Sequence, residues 1–461
     1  MKVHRICLLF VLVPLFVLAT CQSENQATQT IVETERVATL KQAPPIHTPT
    51  TIPVDRSQYE EVFDMVWGTV NEMYFDPTFN GVDWESVGDR YKPKIMTTED
   101  DETFYILLNS MCFELGVSHI GVIPADAPEQ LDPVLSAPGS VGIDVRLIDD
   151  QMVTVWVEPG SPADQAGLRT GFIILEINGK TIEDSEDLIT FKLPPFNECR
   201  SRGQIISAIQ SQLNGDVSQV VTLTYLDEGD QVHEVALTRQ ERKEQTFIAE
   251  NLPPFYVKSE SRRLENGIGY IRFTGFLPPI LEDVLAAIED MQDAPGIIID
   301  IRGNPGGFYP VRKAIASQFF QERTLLWRFI TRPGLELPGF EREAYTEPPS
   351  DAYTGPVVIL VDVLSGSSSE EFSGALQANQ RAIIIGEQTA GSDLVADIIS
   401  LPNGATFIYP IAQTQTADGT VLEGRGVIPD IEVTLDRQLL LQGIDSQIEA
   451  AIDYLKSLVE Q

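Results

Sequence analysis

A serine-rich turn between an apolar strand and a helix is the segment best suited to chemistry. Pro356 to Val361 is a short β-branched run, which predicts a buried strand. Apolar residues at helical spacing follow and predict a helix that begins near Ser368, with acids in its first turn. A serine on such a turn lies at the sheet edge beside unpaired backbone N–H groups, where an oxyanion can be stabilised. The alternative is a Ser/Gly turn that only caps the helix.

A serine nucleophile needs a base, and His119 is the candidate. The other three histidines lie in the N-terminal segment or in a strand of alternating polar and apolar residues: His4, His47 and His233. His119 follows Ser118 at a non-repeating junction after a predicted helix. A lone histidine at a turn is usually structural, but a base with a pKa near neutrality is what serine chemistry requires.

Two glycine-rich segments carry further groups suited to such a site. Asp300 to Gly307 follows an apolar strand and ends in paired glycines, whose N–H groups are open to an approaching oxyanion. The alternative is an ordinary glycine turn at a strand end. Glu423 lies between glycines near the C-terminus, a pattern that is more often a surface turn.

Hydrophobic periodicity predicts the elements that must position these residues. Apolar spacing predicts helices from Ser57 to about Tyr74 and from Thr103 to Leu115. A strand at 268–273, a helix at 280–291 and an apolar strand at 297–301 form the β-α-β order of a parallel sheet. Asn403-Gly404 between two apolar runs predicts a hairpin.

Residues 137–239 form a separate module in the sequence pattern. The run Glu158 to Leu168, followed by Gly171 to Gly179, closely resembles a PDZ domain. PDZ domains bind an extended peptide by strand addition and capture its terminal carboxylate in backbone N–H groups. The resemblance assigns the carboxylate loop and edge strand to Ser140, Val141, Gly142 and Ile143, and it places the partner helix at Arg202 to Leu213. The alternative is a PDZ fold that serves only as a spacer or lid.

The motifs taken together resemble the C-terminal processing (tail-specific) serine peptidases. The segments that carry the resemblance are Ser365 to Phe372, Arg381 to Gly391, Leu115 to Ile123 and Asp300 to Gly307. The resemblance assigns the nucleophile to Ser367, with Ser365 and Ser368 as the neighbours with which it could be confused. Ser–Lys members of the family carry a lysine 25 residues after the nucleophile, and here that position is Ser392. A Ser–Lys dyad is therefore not expected.

The pair Ser118-His119 resembles the core of the tricorn protease, whose catalytic set is Ser, His, Ser and Glu. This resemblance implies that His119 is the base and that Ser118 and Glu423 orient its imidazole. The resemblance of Asp300 to Gly307 to the glycine segment of the C-terminal processing peptidases assigns the oxyanion donors to the N–H groups of Gly306 and Ser368, and leaves open whether Gly306 or Gly307 points inward. Retinoid-binding relatives keep the same fold without chemistry, so the alternative function is a catalytically silent peptide- or ligand-binding protein.

The N-terminus has the pattern of an export signal. A basic start precedes the apolar run Ile6 to Ala19, which is too short for a comfortable membrane span. Residues 1–20 are predicted as a signal peptide, and Cys21 resembles the lipid-attachment site of a bacterial lipoprotein. Thr20 departs from that pattern, so plain secretion is the alternative. Both place the mature protein outside the cytoplasmic membrane, where Cys112 and Cys199 are permitted, but not required, to pair.

Composition and charge exclude several classes of binding partner and cofactor. The chain has 461 residues and a net charge of −36, which argues against nucleic acid and against anionic lipid surfaces. No Cys/His spacing suggests a metal and no phosphate-binding loop is present, so no cofactor is expected. The expected partners are proteins or peptides bound by their C-terminus, with the membrane contacted only through a lipid at Cys21.

These observations predict an α/β protein with a mixed sheet of the ClpP/crotonase-like β-α-β type and an inserted β-rich PDZ domain. The predicted divisions are a disordered tether at 21–56, an N-terminal helical segment with the Ser-His pair at 57–130, the PDZ domain at 135–242 and the serine peptidase core at 243–461. The predicted function is that of an exported serine endopeptidase.

Overall fold

The computed structural model describes residues 57–126, 132–182, 198–248 and 252–459. The predicted signal peptide, Cys21 and the tether lie outside the described residues. The helices are α1 Ser57–Met73, α2 Trp84–Met96, α3 Asp101–Phe113, α4 Pro133–Ser136, α5 Pro162–Gln165, α6 Glu198–Leu213, α7 Pro278–Asp290, α8 Tyr309–Ser317, α9 Ser368–Ala378, α10 Arg437–Leu440 and α11 Ser446–Val459, with a 3-10 turn at Phe79–Gly81.

The strands of the N-terminal half are β1 Gly121–Ile123, β2 Gly139–Ser140, β3 Ile143–Ile148, β4 Gln151–Val157, β5 Ile173–Ile177, β6 Lys180–Thr181, β7 Asn214–Gly215, β8 Val220–Leu226, β9 Val232–Thr238, β10 Gln240–Glu241 and β11 Gln245–Phe247. The strands of the C-terminal half are β12 Phe255–Val257, β13 Ser259–Arg263, β14 Gly269–Phe273, β15 Ile297–Asp300, β16 Leu325–Thr331, β17 Glu343–Tyr345, β18 Val357–Val361, β19 Ile383–Gly386, β20 Leu394–Ser400, β21 Thr406–Thr416 and β22 Ile431–Glu432.

A six-stranded sheet forms the centre of the C-terminal half, in the order β13-β14-β15-β18-β19-β22. All neighbours in it are parallel except β13, which is antiparallel to β14. Every residue of β15 and β18 is buried, as expected for parallel strands covered on both faces. The α/β fold with a mixed sheet and the β14-α7-β15 unit predicted from sequence are therefore confirmed.

A five-stranded antiparallel sheet joins the N-terminal segment to the peptidase core. Its order is β1-β21-β16-β17, and β20 also pairs with β21. β1 follows the Ser118-His119 pair and aligns Gly121 with Ile408 of β21. The predicted hairpin at Asn403-Gly404 is present as the β20–β21 pair. The histidine is thus held by strand pairing against the C-terminal half of the chain.

Three helices form the N-terminal segment, one more than the periodicity predicts. α1 and α3 match the predictions within two residues. α2 contains Gly88 and Pro93, which weaken a helical pattern, although Asp83 caps its first turn through a bond from the Ser86 N–H. Among the residues that the structure describes, no helix is long and apolar enough to cross a membrane.

The PDZ sheet has the order β3-β4-β5-β8-β9. α6 packs on it and begins four residues earlier than predicted, at Glu198. The core of this module also contains a residue from the peptidase half: Val363, two residues after β18, is 2 % exposed within it. Apart from Leu337–Phe340, the described residues form one compact unit. The PDZ module is therefore packed directly on the loop that precedes the serine turn.

Candidate active site

The serine turn begins where β18 ends and α9 starts. Ser367 has φ 51° and ψ −118°, a backbone conformation that costs free energy for any residue with a Cβ. Its neighbours are structural, since Ser365 Oγ donates to Ile301 O at 2.9 Å and Ser368 Oγ donates to Gly307 O at 2.8 Å, both from fully buried side chains. The partly exposed side chain among the three is that of Ser367.

A buried carboxylate holds this strained turn. Glu370 accepts hydrogen bonds from the N–H of Ser367 at 3.2 Å and of Ser392 at 2.8 Å through one oxygen. Its other oxygen accepts the Gly391 N–H at 2.7 Å and the Thr389 hydroxyl at 2.5 Å. Burial raises the pKa of Glu370 to about 7, although these hydrogen bonds oppose the rise. The Ser-x-x-Glu spacing of a capping box is a sequence signal that could have identified this role.

Position 392, which holds a lysine in the Ser–Lys peptidases that the sequence resembles, contacts the nucleophile candidate through its backbone. Ser392 O accepts the Ser367 N–H at 2.9 Å. The segment after β19 therefore fixes the serine turn and supplies no basic side chain to it.

His119 is positioned by α3 and β1. Asn109 of α3 exchanges two hydrogen bonds with the backbone of Val122 in β1, at 2.9 and 2.7 Å. These bonds fix the distance between helix and strand, and the intervening turn carries Ser118 and His119. His119 has φ 55°, so it shares with Ser367 a positive φ at a residue other than glycine.

Four side chains form one connected series of hydrogen bonds. His119 Nε2 lies 3.2 Å from Ser367 Oγ, and His119 Nδ1 lies 2.7 Å from Ser118 Oγ. Ser118 Oγ donates to Glu423 Oε2 at 2.7 Å, and the Ser118 N–H donates to Glu423 Oε1 at 2.8 Å. A hydroxyl has one proton, so Ser118 accepts from Nδ1–H while it donates to the carboxylate. The unprotonated nitrogen of the ring is then Nε2, which faces Ser367.

The electrostatics keep the imidazole neutral. Burial lowers the pKa of His119 below its usual value, the carboxylate of Glu423 opposes this, and the positive charge of Arg200 adds to it. A histidine whose pKa is lowered stays unprotonated at neutral pH, and its Nε2 lone pair is available for a proton. The arrangement can therefore perform general base chemistry on the Ser367 hydroxyl.

The PDZ module contributes a side chain to this series, which the sequence did not predict. Arg200 of α6 lies 3.1 Å from Glu423 Oε1 and also donates to Gly391 O. The backbone N–H of Asp393 donates to Glu423 Oε2 at 2.7 Å. The carboxylate thus accepts hydrogen bonds from four donors. The local sequence does not predict this role of Arg200, because Arg200 and Glu423 are more than 220 residues apart in the chain.

The glycine segment lies against the serine turn. A methyl group on Gly306 would lie 2.8 Å from Ser367 Cβ, whereas one on Gly307 would clash with Phe276 O at 2.4 Å. Gly306 thus presents its Cα to the serine. Its N–H donates to Asn304 Oδ1 at 2.9 Å, so the oxyanion role predicted for Gly306 requires that bond to open. Ser368 is the first residue of α9, where backbone N–H groups have no partner within the helix.

The predicted PDZ groove lies between β3 and α6, and one side chain bridges it. Gln210 of α6 donates to Ile143 O at 2.8 Å and accepts the Val145 N–H at 3.2 Å. Backbone groups of this edge strand are the ones that an added peptide strand would use. The loop donor Gly142 N–H is likewise bound to Ser140 Oγ at 3.0 Å, while Val141 is fully buried. Strand addition here therefore requires Gln210 to withdraw.

Cys112 is buried and Cys199 is partly buried, and both are free thiols. Within the described ranges there is no group of three or more His, Cys, Asp or Glu side chains arranged to hold a metal ion.

Comparison with known families identifies three segments. Residues 267–433 match the family model for peptidase family S41, residues 55–113 match the tricorn protease C1 domain and residues 153–191 match a PDZ domain. The chain is 27 % identical over 398 residues to a carboxyl-terminal-processing protease of Synechocystis sp., covering 84 % of this chain and 85 % of that protein. It is 26 % identical to the chloroplastic carboxyl-terminal-processing peptidase 3 of Arabidopsis thaliana, covering 80 % and 67 %.

Solved structures share the fold. The photosystem II D1 C-terminal processing protease aligns with a TM-score of 0.54 at 22 % identity, over 84 % of this chain and 98 % of that one. Mature CPAF in complex with lactacystin aligns with a TM-score of 0.58 at 16 % identity, over 88 % and 98 %. The matched domains and the named relatives lead to one conclusion: the chain contains a peptidase family S41 domain and a PDZ domain, is similar to the carboxyl-terminal-processing proteases and is a serine-type peptidase.

Proposed function

We propose that this peptidase is an exported endopeptidase in which Ser367 is the nucleophile and His119 is the general base. The observation that carries the proposal is the continuous series of contacts from Glu423 through Ser118 and His119 to Ser367. A serine hydroxyl is a weak nucleophile unless an oriented base removes its proton, and this series supplies both the base and its orientation.

The reaction follows from the contacts. Ser367 Oγ attacks the peptide carbonyl as its proton passes to His119 Nε2, which later gives it to the leaving amine. Glu423, acting through Ser118, stabilises the imidazolium that forms between these steps. The N–H groups of Ser368 and Gly306 stabilise the tetrahedral oxyanion, and Gly306 takes part once its donor leaves Asn304. Water then repeats the sequence on the acyl-enzyme.

Labelling with a serine-directed fluorophosphonate tests this proposal. The wild-type chain should be labelled, and Ser367→Ala and His119→Ala should lose the label. His233→Ala is the matched control, because His233 lies on β9 of the PDZ sheet, where its ring contacts Asp227 and Tyr225. Labelling that survives Ser367→Ala would assign the nucleophile to another serine. An unlabelled wild-type chain would favour the silent binding protein.

We also propose that substrates are proteins or peptides with accessible C-termini that the PDZ module selects. The segment Ser140–Ile143 leads into β3, an edge strand of the PDZ sheet, as strand addition requires. Cleavage of an unfolded protein should be inhibited by peptides that end in a free carboxylate and not by their amides. Equal inhibition by both forms would make the module a spacer.

Export, with a lipid at Cys21, is part of the same proposal and rests on the sequence pattern of residues 1–21. Expression of the full chain in a bacterium with radiolabelled palmitate should give a labelled membrane-associated protein, and Cys21→Ser should abolish the label. A secreted, unlabelled wild-type protein would favour simple signal cleavage, and an unprocessed cytoplasmic protein would refute export.

A further inference from the structure

A buried arginine lies behind the serine turn, outside the series of contacts described above. Arg312 of α8 is 5 % exposed, and its guanidinium carbon lies 5.0 Å from the centroid of the Tyr309 ring and 4.9 Å from that of the Trp327 ring. Its Nη2 pairs with the carboxylate of Glu371, which is also buried. Its Nη1 donates to Ser368 Oγ at 2.8 Å. The arginine therefore contacts the residue whose backbone N–H is proposed to stabilise the oxyanion.

The contact with Arg312 sets the direction of the Ser368 hydroxyl. A guanidinium can only donate, so Ser368 Oγ accepts from it and has its single proton left for another acceptor. That acceptor is Gly307 O, at 2.8 Å. Ser368 is fully buried, so bulk water does not compete for either bond. One hydroxyl thus joins the start of α9 to the glycine segment, and the arginine fixes its polarity.

The two segments that this hydroxyl joins carry the two proposed oxyanion donors. Ser368 supplies one N–H from the start of α9, and Gly306 supplies the other from the residue before Gly307. The Gly306 N–H acts only after it leaves Asn304 Oδ1. A Gly307 carbonyl anchored to Ser368 limits how far the glycine segment moves when that bond opens. This anchor matters because donors stabilise an oxyanion only within hydrogen-bonding distance of the position that the oxygen will occupy.

Stability alone is a weak explanation for a buried ion pair at this place. Two charges removed from water cost free energy that their attraction only partly returns, and apolar residues of similar volume often stabilise a fold as well. The guanidinium offers something that apolar residues do not, which is a rigid fork of donors that spans a carboxylate and a hydroxyl. Glu371 holds this fork in place, because its second oxygen accepts the Thr414 hydroxyl at 2.6 Å.

We propose that Arg312 is a positioning residue of the peptidase reaction, which holds the two oxyanion donors at their working distance through the Ser368 hydroxyl. The inference rests on the proposed function and adds to it a side chain that acts only through its neighbours. The oxyanion exists in the transition state and not in the bound substrate. Loss of the arginine fork should therefore slow the chemical step and leave substrate binding unchanged.

Arg312→Lys tests the proposal, because an ammonium keeps the charge opposite Glu371 but lacks the planar fork that also reaches Ser368. The readouts are kcat and KM for cleavage of fluorescein-labelled casein by the full chain, and the midpoint of thermal unfolding. We expect kcat to fall about 30-fold, less than for the removal of an oxyanion donor, with KM within about twofold of wild type. The rate of fluorophosphonate labelling should fall by the same factor, because the phosphoryl oxygen of the reagent takes the position of the oxyanion.

A matched control and a double-mutant cycle separate positioning from stability. Arg381 binds backbone carbonyls beyond the other end of α9, so Arg381→Lys should leave kcat unchanged even if it lowers the unfolding midpoint. Ser368→Ala removes the hydroxyl and keeps the backbone N–H, and in that background Arg312→Lys should have no further effect on kcat. If Arg312→Lys does not fold, Arg312→Met combined with Glu371→Gln leaves no unpaired buried charge and should show the same loss of kcat.

Three results would overturn the inference: wild-type kcat in Arg312→Lys, a second loss of about 30-fold in the Ser368→Ala background, or a loss that appears only in KM. Fluorophosphonate labelling of the wild-type chain reports separately on Ser367. An unlabelled wild type would refute the proposed function, whereas a labelled wild type with unchanged Arg312→Lys kinetics would overturn this inference alone.

Discussion

The carboxylate of Glu423 sets the proton positions in the proposed catalytic series, and Glu423→Gln tests this role with almost no change in shape. Each carboxylate oxygen accepts from two donors: Oε1 from the Ser118 N–H and Arg200, Oε2 from the Ser118 hydroxyl and the Asp393 N–H. An amide NH₂ at the Oε1 position would face two donors that cannot rotate, one of them cationic. The NH₂ group should therefore take the Oε2 position, where it faces one fixed donor, the Asp393 N–H, and where the Ser118 hydroxyl can rotate to accept instead of donate.

The reversed Ser118 hydroxyl would leave His119 without an unprotonated Nε2, and therefore without a base that faces Ser367. Ser118 would accept from the amide and donate to His119 Nδ1, which leaves the ring proton on Nε2 and facing Ser367. The lost charge has its own effect, because two contacts of 2.7 Å through Ser118 Oγ place the Glu423 carboxylate on the order of 5 Å from the imidazolium that it stabilises. At an effective dielectric constant of about 20 that interaction is worth about 3 kcal/mol, or roughly 10²-fold in rate. The wrong tautomer adds about one more power of ten.

The assay is the second-order rate of fluorophosphonate labelling between pH 5 and pH 9, with exposed Glu432→Gln as the matched control. We expect a loss of about 10³-fold in Glu423→Gln. The charge of Glu423 opposes the lowering of the His119 pKa, so its removal lowers that pKa further. Labelling requires the unprotonated base, and the acid limb of the profile should therefore move to lower pH. A rate within threefold of wild type would refute the proton assignment.

Three further predictions use this labelling assay or peptide binding. Arg200→Gln removes a charge that lowers the His119 pKa, so the acid limb should move to higher pH, and a shift in the same direction as Glu423→Gln would contradict the electrostatic argument. Gln210→Ala frees the backbone of the β3 edge and should tighten the binding of a fluorescent peptide with a free C-terminal carboxylate by about tenfold, measured by fluorescence anisotropy. Unchanged affinity would mean that Gln210 does not compete with the peptide. Gly306→Ala should abolish labelling, because Gly306 has φ 116° and an added methyl group would press on Ser367. Gly116→Ala should keep the labelling, because Gly116 has φ 65° and no atom lies closer than 3.9 Å to the added methyl group. Loss of labelling in both variants would indicate general misfolding.

The sequence predicts the elements whose signals are local. Asn403-Gly404 predicts the β20–β21 hairpin because these residues favour a tight turn, and the structure closes the hairpin with a turn from Leu401 to Gly404 in which Gly404 has φ 83°. The apolar runs of β15 and β18 predict buried parallel strands because both faces of such strands are covered. The sequence does not predict α2, because Gly88 and Pro93 interrupt its helical pattern. Tertiary contacts stabilise this helix, such as the hydrogen bonds that the indole N–H groups of Trp67 and Trp84 each donate to the other residue's backbone carbonyl.

The arrangement between modules could not be predicted in this way. Val363 lies in the PDZ core, and Arg200 of that module reaches Glu423 across 223 positions of sequence. Neither residue differs in type or spacing from ordinary core and surface residues. Contacts of this kind depend on how two separately folded layers dock, and a single sequence contains no periodic signal for docking. The resemblance to known peptidases identified Ser118, His119, Ser367 and Glu423, whereas physical patterns alone left each of them beside a structural alternative.

Backbone strain adds an argument that no motif provides. Ser367 at φ 51° and His119 at φ 55° both have a positive φ, which glycine would adopt at a lower cost. Each such residue costs on the order of 1–3 kcal/mol and persists only where surrounding contacts impose it. At the serine those contacts come from Glu370 and Ser392. At the histidine the turn is held between α3 and β1 by the two hydrogen bonds of Asn109 with Val122. Two strained residues whose side chains meet at 3.2 Å indicate that the fold tolerates this cost to hold a hydroxyl and an imidazole together.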